Sequence, residues 1–242
     1  MNVKNHNTGS LGESSGLQHA LLPSIEMFKR GFVEAEIFFQ PYRAPGGDFY
    51  WCKNFQYQSV YVVGDCTGHG IGGAMTSMAV IALLIQYFKS LPPKSVNISL
   101  KEIYDSLTEV QKENDFLDAE LGMILLDRRT RSICYSGTGI NLIHKSEEDC
   151  KLYQTRKAKF LLDEQCEYEI RLEKGDQLYL YTDGITDQFD FADLKRLGNI
   201  ALLKMIKALP EQALLKDFEC LFQDYKGETP ADDDQTMVLL TY

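Results

Sequence analysis

The sequence predicts an α+β layered domain, and three observations predict it. Segments of strand character come first, two helical segments interrupt them, strands resume, and helices precede a last strand. The strand segments are short and mostly separated by Asp, Gly, Arg or Glu clusters that suit the tight connections of a largely antiparallel sheet system. No internal repeat and no interdomain linker interrupts the 242 residues, whose 44% hydrophobic and 25% charged content is ordinary for a globular chain.

Residues 1–16, MNVKNHNTGSLGESSG, are polar and aperiodic, so they are expected as a flexible arm, with the domain running from 17 to 242. LQHALLPSIEMF carries a short helical pattern stopped near Pro23. Its Leu17, Leu21 and Leu22 stand at positions i, i+4 and i+5. They are expected to share one face, which covers a sheet edge or docks on the next long helix. AEIFFQ, DFYW and SVYVVGD then read as three strands at hairpin-like spacing. Residues 73–88, GAMTSMAVIALLIQYF, form a helix-length apolar run that LPPK stops, and a second amphipathic helix is expected from about Leu100 to Phe116. Strands resume at GMILLD, SICYSG, NLIHK, KLYQT, YEIRL and QLYLYTD; helices are expected over 200–209 and 212–222, and TMVLLTY is the closing strand.

Bulk properties exclude several functions. A formal net charge of −10 argues against a protein that grips nucleic acid through its phosphates. Neither a basic start with a short apolar core nor a run of 18 apolar residues occurs, so no signal peptide or membrane span is expected, and a cytoplasmic location is. Six cysteines, at 52, 66, 134, 150, 166 and 220, are scattered without a CxxC pair, which fits reduced thiols.

Acidic residues recur where elements begin or end. Asp48 follows two glycines in APGGDFYW, Asp65 ends SVYVVGD, Asp183 ends QLYLYTD, and Asp232, Asp233 and Asp234 precede the last strand. Each alone suits a turn or a helix cap. Their recurrence at four element ends points to an all-oxygen site for a hard ion such as Mg2+ or Mn2+. Histidines 6, 19, 69 and 144 are isolated, which disfavours zinc. The stretch VGDCTGHGIGGAM has Gly68, Gly70 and Gly73 at dinucleotide-fingerprint spacing, yet no acid follows about 20 residues on to hold a ribose. It also lacks the GK[ST] of a P-loop, and Cys66 has Gly72 where a cysteine phosphatase needs arginine. These glycines suit either a backbone that approaches an ion or phosphate at a helix start, or close helix packing.

GGDFYW, VVGDCTGHGIGGAM, YLYTDGITDQF and DDQTMVLL resemble, in order and spacing, the SpoIIE/RsbU-like branch of the PPM (PP2C-type) metal-dependent serine/threonine phosphatases. The resemblance spans about residues 17–242. It implies an αββα sandwich, two antiparallel sheets flanked by helix pairs, with two Mn2+ or Mg2+ ions at one end. Carried over by motif, Asp48 and Asp65 would be shared around the ion pair, the Cys66 main-chain carbonyl would complete the second ion, and Asp183 and Asp233 would hold the first. The extra aspartate in ADDDQT leaves Asp232 and Asp234 as alternatives to Asp233. Catalysis would involve Asp48, Asp65 and His69: a water bridging the ions attacks the phosphoryl group in line, and a metal-bound water or His69 protonates the leaving alkoxide. The implied partner is a phosphorylated STAS-domain anti-anti-sigma-like protein of bacterial partner switching, with a possible sensor or regulatory domain upstream. A two-metal phosphodiesterase or nuclease, and a non-catalytic signalling module of the same fold, are the competing readings.

Overall fold

A strand that is apolar on both faces needs cover on both. The strand Gln58–Cys66 is of this kind: Val60 and Val62 pack against helices, while Tyr61 and Val63 pack against a second sheet. The structure is a computed structural model that describes residues 16–68, 70–111, 118–157, 167–192 and 194–242.

Among the described residues ten strands form two five-stranded sheets. In chain order they are β1 (Glu34–Gln40), β2 (Phe49–Asn54), β3 (Gln58–Cys66), β4 (Ala119–Asp127), β5 (Ser132–Gly137), β6 (Asn141–Lys145), β7 (Cys150–Tyr153), β8 (Tyr168–Arg171), β9 (Gln177–Tyr181) and β10 (Gln235–Thr241). One sheet has the order β2-β3-β4-β5-β8 and the other β1-β10-β9-β6-β7, with every pairing antiparallel. The helices are α1 (16–21), α2 (Ile25–Phe28), α3 (Gly70–Tyr87), α4 (Val96–Gln111), α5 (Asp183–Thr186), α6 (Gly198–Ala208) and α7 (Leu215–Lys226).

Residue alternation builds the layers. Val80, Ile81 and Leu84 of α3, with Leu100 and Ile103 of α4, meet Val60, Val62, Leu121 and Met123 of the first sheet. Between the sheets, Tyr61, Val63, Ile124 and Leu126 face Leu178, Leu180, Val238 and Leu240. Beyond the second sheet, Tyr179, Tyr181, Met237 and Leu239 carry Leu202 and Ile206 of α6 and Phe218 and Phe222 of α7. Helices, sheet, sheet, helices: the αββα sandwich is realised. Among the described residues α3 is the one helix long and apolar enough to cross a membrane by length and composition. Here its Val80, Ile81 and Leu84 are buried in the first core layer, where each such side chain contributes about 1.5–3 kcal/mol.

Four expectations are corrected. β1 does not form a hairpin with β2; it pairs with β10, and residues 41–48 cross from one sheet to the other. QLYLYTD does not continue as a strand to its aspartate: β9 stops at Tyr181, and Asp183 opens α5. α4 begins at Val96, four residues before the expected start, because Ser95 caps its first turn by accepting the Ile98 amide. The inward face is Gln18 and Leu21 of α1, with Leu22 just past its end. Gln18 is buried, Leu21 and Leu22 pack against the core between the first sheet and its helices, and Leu17 is 58% exposed. Leu17 falls outside this inward face because the amide of Gln18, and not an aliphatic group, meets the backbone below.

Candidate metal centre

Asp48 ends the 41–48 crossing, at the point where the two sheets meet. Its Oδ2 accepts hydrogen bonds from the Thr182 hydroxyl at 2.8 Å and the Thr236 hydroxyl at 2.7 Å, one after β9 and one in β10. Its Oδ1 is buried with no hydrogen-bond partner among the described residues, and Asp48 is 1% exposed. Burial, then the nearby charge of Asp65, holds this carboxyl well above the usual carboxylate range.

Asp65 lies one residue from the end of β3, in phase with Tyr61 and Val63, so it points into the end of the intersheet cleft. Directly opposite it in register stands Glu120 of β4. One carboxylate oxygen each from Asp65, Glu120 and Asp183 lie within 4.8 Å of one another. Burial, followed by the charges of Asp183, Asp233 and Glu120, pushes the Asp65 carboxyl up to about 8. Lys157 Nζ bridges two members of this group, 2.8 Å from Asp183 Oδ2 and 3.1 Å from Glu120 Oε1.

The three consecutive aspartates separate by task. Asp234 is 3% exposed and turns towards the crossing loop, where Oδ1 accepts the Tyr42 amide at 2.7 Å and Oδ2 the Gly47 amide at 2.6 Å. Asp233 remains exposed, accepts the Asp234 amide, and acts electrostatically on Asp65. Asp232 is also exposed.

Backbone meets backbone around Cys66. A Cβ on Gly47 would sit 2.4 Å from the Cys66 carbonyl oxygen, and one on Gly73 would sit 2.2 Å from the Gly68 carbonyl oxygen. Glycine is therefore required at both places for the GGD loop, the turn after β3 and the start of α3 to close together. The Cys66 side chain packs in the α3–α4 layer, on the opposite face from Asp65, so its thiol does not face the carboxylates. Gln18 holds the same loop from above: its Nε2 donates to the Gly46 carbonyl at 2.7 Å and the Ser77 hydroxyl at 3.0 Å, and its Oε1 accepts the Gly46 amide at 3.3 Å.

This donor set fits a hard divalent cation. Among the described residues it is all oxygen, it gathers carboxylates around the bridging Lys157, and two of its buried oxygens, Asp48 Oδ1 and Glu120 Oε2, lack a hydrogen-bond partner. A separate cavity of about 470 Å3, lined by Lys145, Asp149, Lys207 and Glu211, shares no residue with this group. Its Lys145 is occupied in donating to the carbonyls of Ile206, Leu209 and Pro210 at the end of α6.

Of the residues singled out from sequence, Asp48, Asp65, Asp183 and Asp233 come to one end of the sandwich, with Cys66 beside them in the chain. His69 lies outside the described residues. Sequence reasoning missed Glu120, Lys157, Gln18 and the two threonines. Glu120 had a signal: it is a charge at an inward position of AELGMILLD, in phase with Ile124 and Leu126.

The family model described as Stage II sporulation protein E (SpoIIE) matches residues 57–242, more than three quarters of the chain. Asp65, Asp183 and Asp233 lie inside the matched segment and Asp48 just before it. Among solved structures, the SiaA PP2C domain of Pseudomonas aeruginosa aligns with a TM-score of 0.85 at 24% identity, covering 97% of this chain and 96% of that one. The SpoIIE phosphatase domain with a regulatory-domain fragment, from Bacillus subtilis, aligns with a TM-score of 0.70 at 16% identity, over 86% of this chain and 62% of that one. RsbX in complex with magnesium gives 0.58 at 17% identity, over 85% and 92%. No curated protein matches the chain in sequence at a significant level.

Proposed function

Because the chain belongs to the SpoIIE family of PP2C-type, metal-dependent serine/threonine phosphatases, we propose that it uses the acidic end of its intersheet cleft to hydrolyse phosphoserine or phosphothreonine on a small regulatory protein of the STAS type. The observation that carries the reading is the convergence of Asp48, Asp65 and Asp183, from three separate stretches of chain, on one cleft end where buried carboxylate oxygens lack partners.

In this reading Asp48, Asp65, Asp183, Asp233 and the Cys66 main-chain carbonyl would hold two Mn2+ or Mg2+ ions, which would supply an activated water and positive charge for the phosphoryl group. The protein's part is positioning. Thr182 and Thr236 fix one oxygen of Asp48 and leave the other aimed away from them, so its orientation is set before any cation arrives. Asp234, by taking the amides of Tyr42 and Gly47, sets where the crossing loop ends and hence where Asp48 stands. The Cys66 thiol, buried on the helix side of its strand, is not placed to act as a covalent nucleophile. An upstream sensor or regulatory segment would enter through α1, whose Gln18 touches the Asp48 loop.

The substrate assignment is tested by offering the protein, with Mn2+, a phosphorylated STAS-domain protein, a cyclic nucleotide and a DNA duplex. Phosphate release from the phosphoprotein alone is expected. Cleavage of a phosphodiester at a comparable rate would overturn the assignment.

A further inference from the structure

We propose that Glu120 is a further carboxylate ligand of the cation held by Asp65 and Asp183, a position outside the four aspartate motifs; the proposal rests on the metal-dependent reading above.

Glu120 and Asp65 are paired residues of antiparallel strands, so their side chains leave the same face, and an oxygen of each lies within 4.8 Å of the other and of Asp183. Like charges directly opposite each other destabilise a sheet unless a cation joins them. Among the described residues, Lys157 is the cation paired with Glu120 and Asp183, and Asp233 adds a further carboxylate beside Asp65, so acidic groups outnumber it at this cleft end. Lys157 engages Oε1 of Glu120; Oε2 is buried and has no hydrogen-bond partner among the described residues. Space has been kept for that oxygen: a Cβ at Gly139 would stand 1.8 Å from it, and Gly139 has a φ of +75°. Lys157 is 62% exposed in its side chain, so it flanks the group from the solvent side.

The competing explanation is that Glu120 merely pairs with Lys157. Calorimetric titration of MnCl2 into the full chain separates the two, using wild type, Glu120→Gln, Glu120→Asp and Lys157→Gln, each checked by circular dichroism. Glu120→Gln is expected to weaken Mn2+ binding at least about tenfold, and Lys157→Gln to leave it unchanged or tighter. Glu120→Asp keeps the charge but withdraws the oxygens by one methylene, so it should also weaken binding if Glu120 touches the ion. A loss below tenfold for Glu120→Gln, or equal losses for Glu120→Gln and Lys157→Gln, overturns the proposal. Absence of Mn2+ binding by the wild type would instead refute the metal centre itself.

Discussion

Replacing Gln18 by alanine removes the contact between α1 and the loop that carries Asp48. Four hydrogen bonds are lost: from Nε2 to the Gly46 carbonyl at 2.7 Å, the Ser77 hydroxyl at 3.0 Å and the Asp48 carbonyl at 3.5 Å, and from the Gly46 amide to Oε1 at 3.3 Å. The Ser77 hydroxyl keeps a partner, since it also donates to the Ala74 carbonyl at 3.0 Å. Gly46 does not: its amide and carbonyl, both in a buried residue, are left to whatever water enters the space vacated by the side chain. At about 1–3 kcal/mol for a buried group left unsatisfied, partly relieved by such water, the loss comes to roughly 2–4 kcal/mol. For a domain of this length that is a fall in melting temperature of roughly 5–15 °C. The assay is thermal unfolding by circular dichroism, followed by Mn2+ titration of activity at a temperature where both proteins are folded. Because the same loop ends in Asp48, the variant should also need more Mn2+ for half-maximal activity. A melting temperature within 2 °C of wild type together with superimposable Mn2+ curves would refute the reasoning.

Other perturbations probe the same frame. Asp234→Ala deprives the buried Gly47 amide and the part-buried Tyr42 amide of a charged acceptor; at about 1.5–3 kcal/mol for the buried bond and less for the other, it should destabilise the fold by roughly 2–4 kcal/mol in chemical denaturation, and unchanged stability would contradict its anchoring role. Asp65→Asn removes a proposed ligand without removing a packing group, so turnover should fall by orders of magnitude in a folded protein; near wild-type rates at saturating Mn2+ would exclude it as a ligand. The pH dependence follows from the same residue. Its carboxyl is raised from 3.8 to about 8 in the folded state, so between those values the native state holds more protons than the unfolded chain. Stability in chelator should therefore fall as pH rises from about 4 to 8, Mn2+ should restore it, and Asp65→Asn should lessen the slope, the rest coming from Asp48, Glu120 and Asp233, which are raised too; a chelated protein that grows more stable across that window would contradict the assignment.

The layers were legible because the strands carry their own phase. QSVYVVGDC is apolar on both faces and demands two covers, whereas the run containing Val80, Ile81 and Leu84 is long enough to provide one of them. The sheet partners were not legible. β1 and β2 are adjacent in sequence but belong to different sheets, since pairing with β10 depends on contacts about 200 residues away. The aspartates stood out because glycine and apolar strand residues flank them. Asp234 shows what local reading cannot do: within ADDDQT nothing distinguishes the loop anchor from the exposed neighbour until the Tyr42 and Gly47 amides arrive from the other end of the chain. Gln18 was hidden for the same reason, as its partners at 46 and 77 lie in other elements. Glu120 was visible in principle, as an inward charge on an apolar strand.

The most direct measurement is phosphate release from a phosphoserine-bearing STAS-domain protein by the full chain in Mn2+, in Mg2+ and in excess EDTA, with Asp65→Asn measured alongside. The reading developed from the cleft carboxylates predicts turnover with a divalent ion, none in chelator, and recovery when Mn2+ is returned. Equal release in EDTA, or release by Asp65→Asn at the wild-type rate, would contradict it.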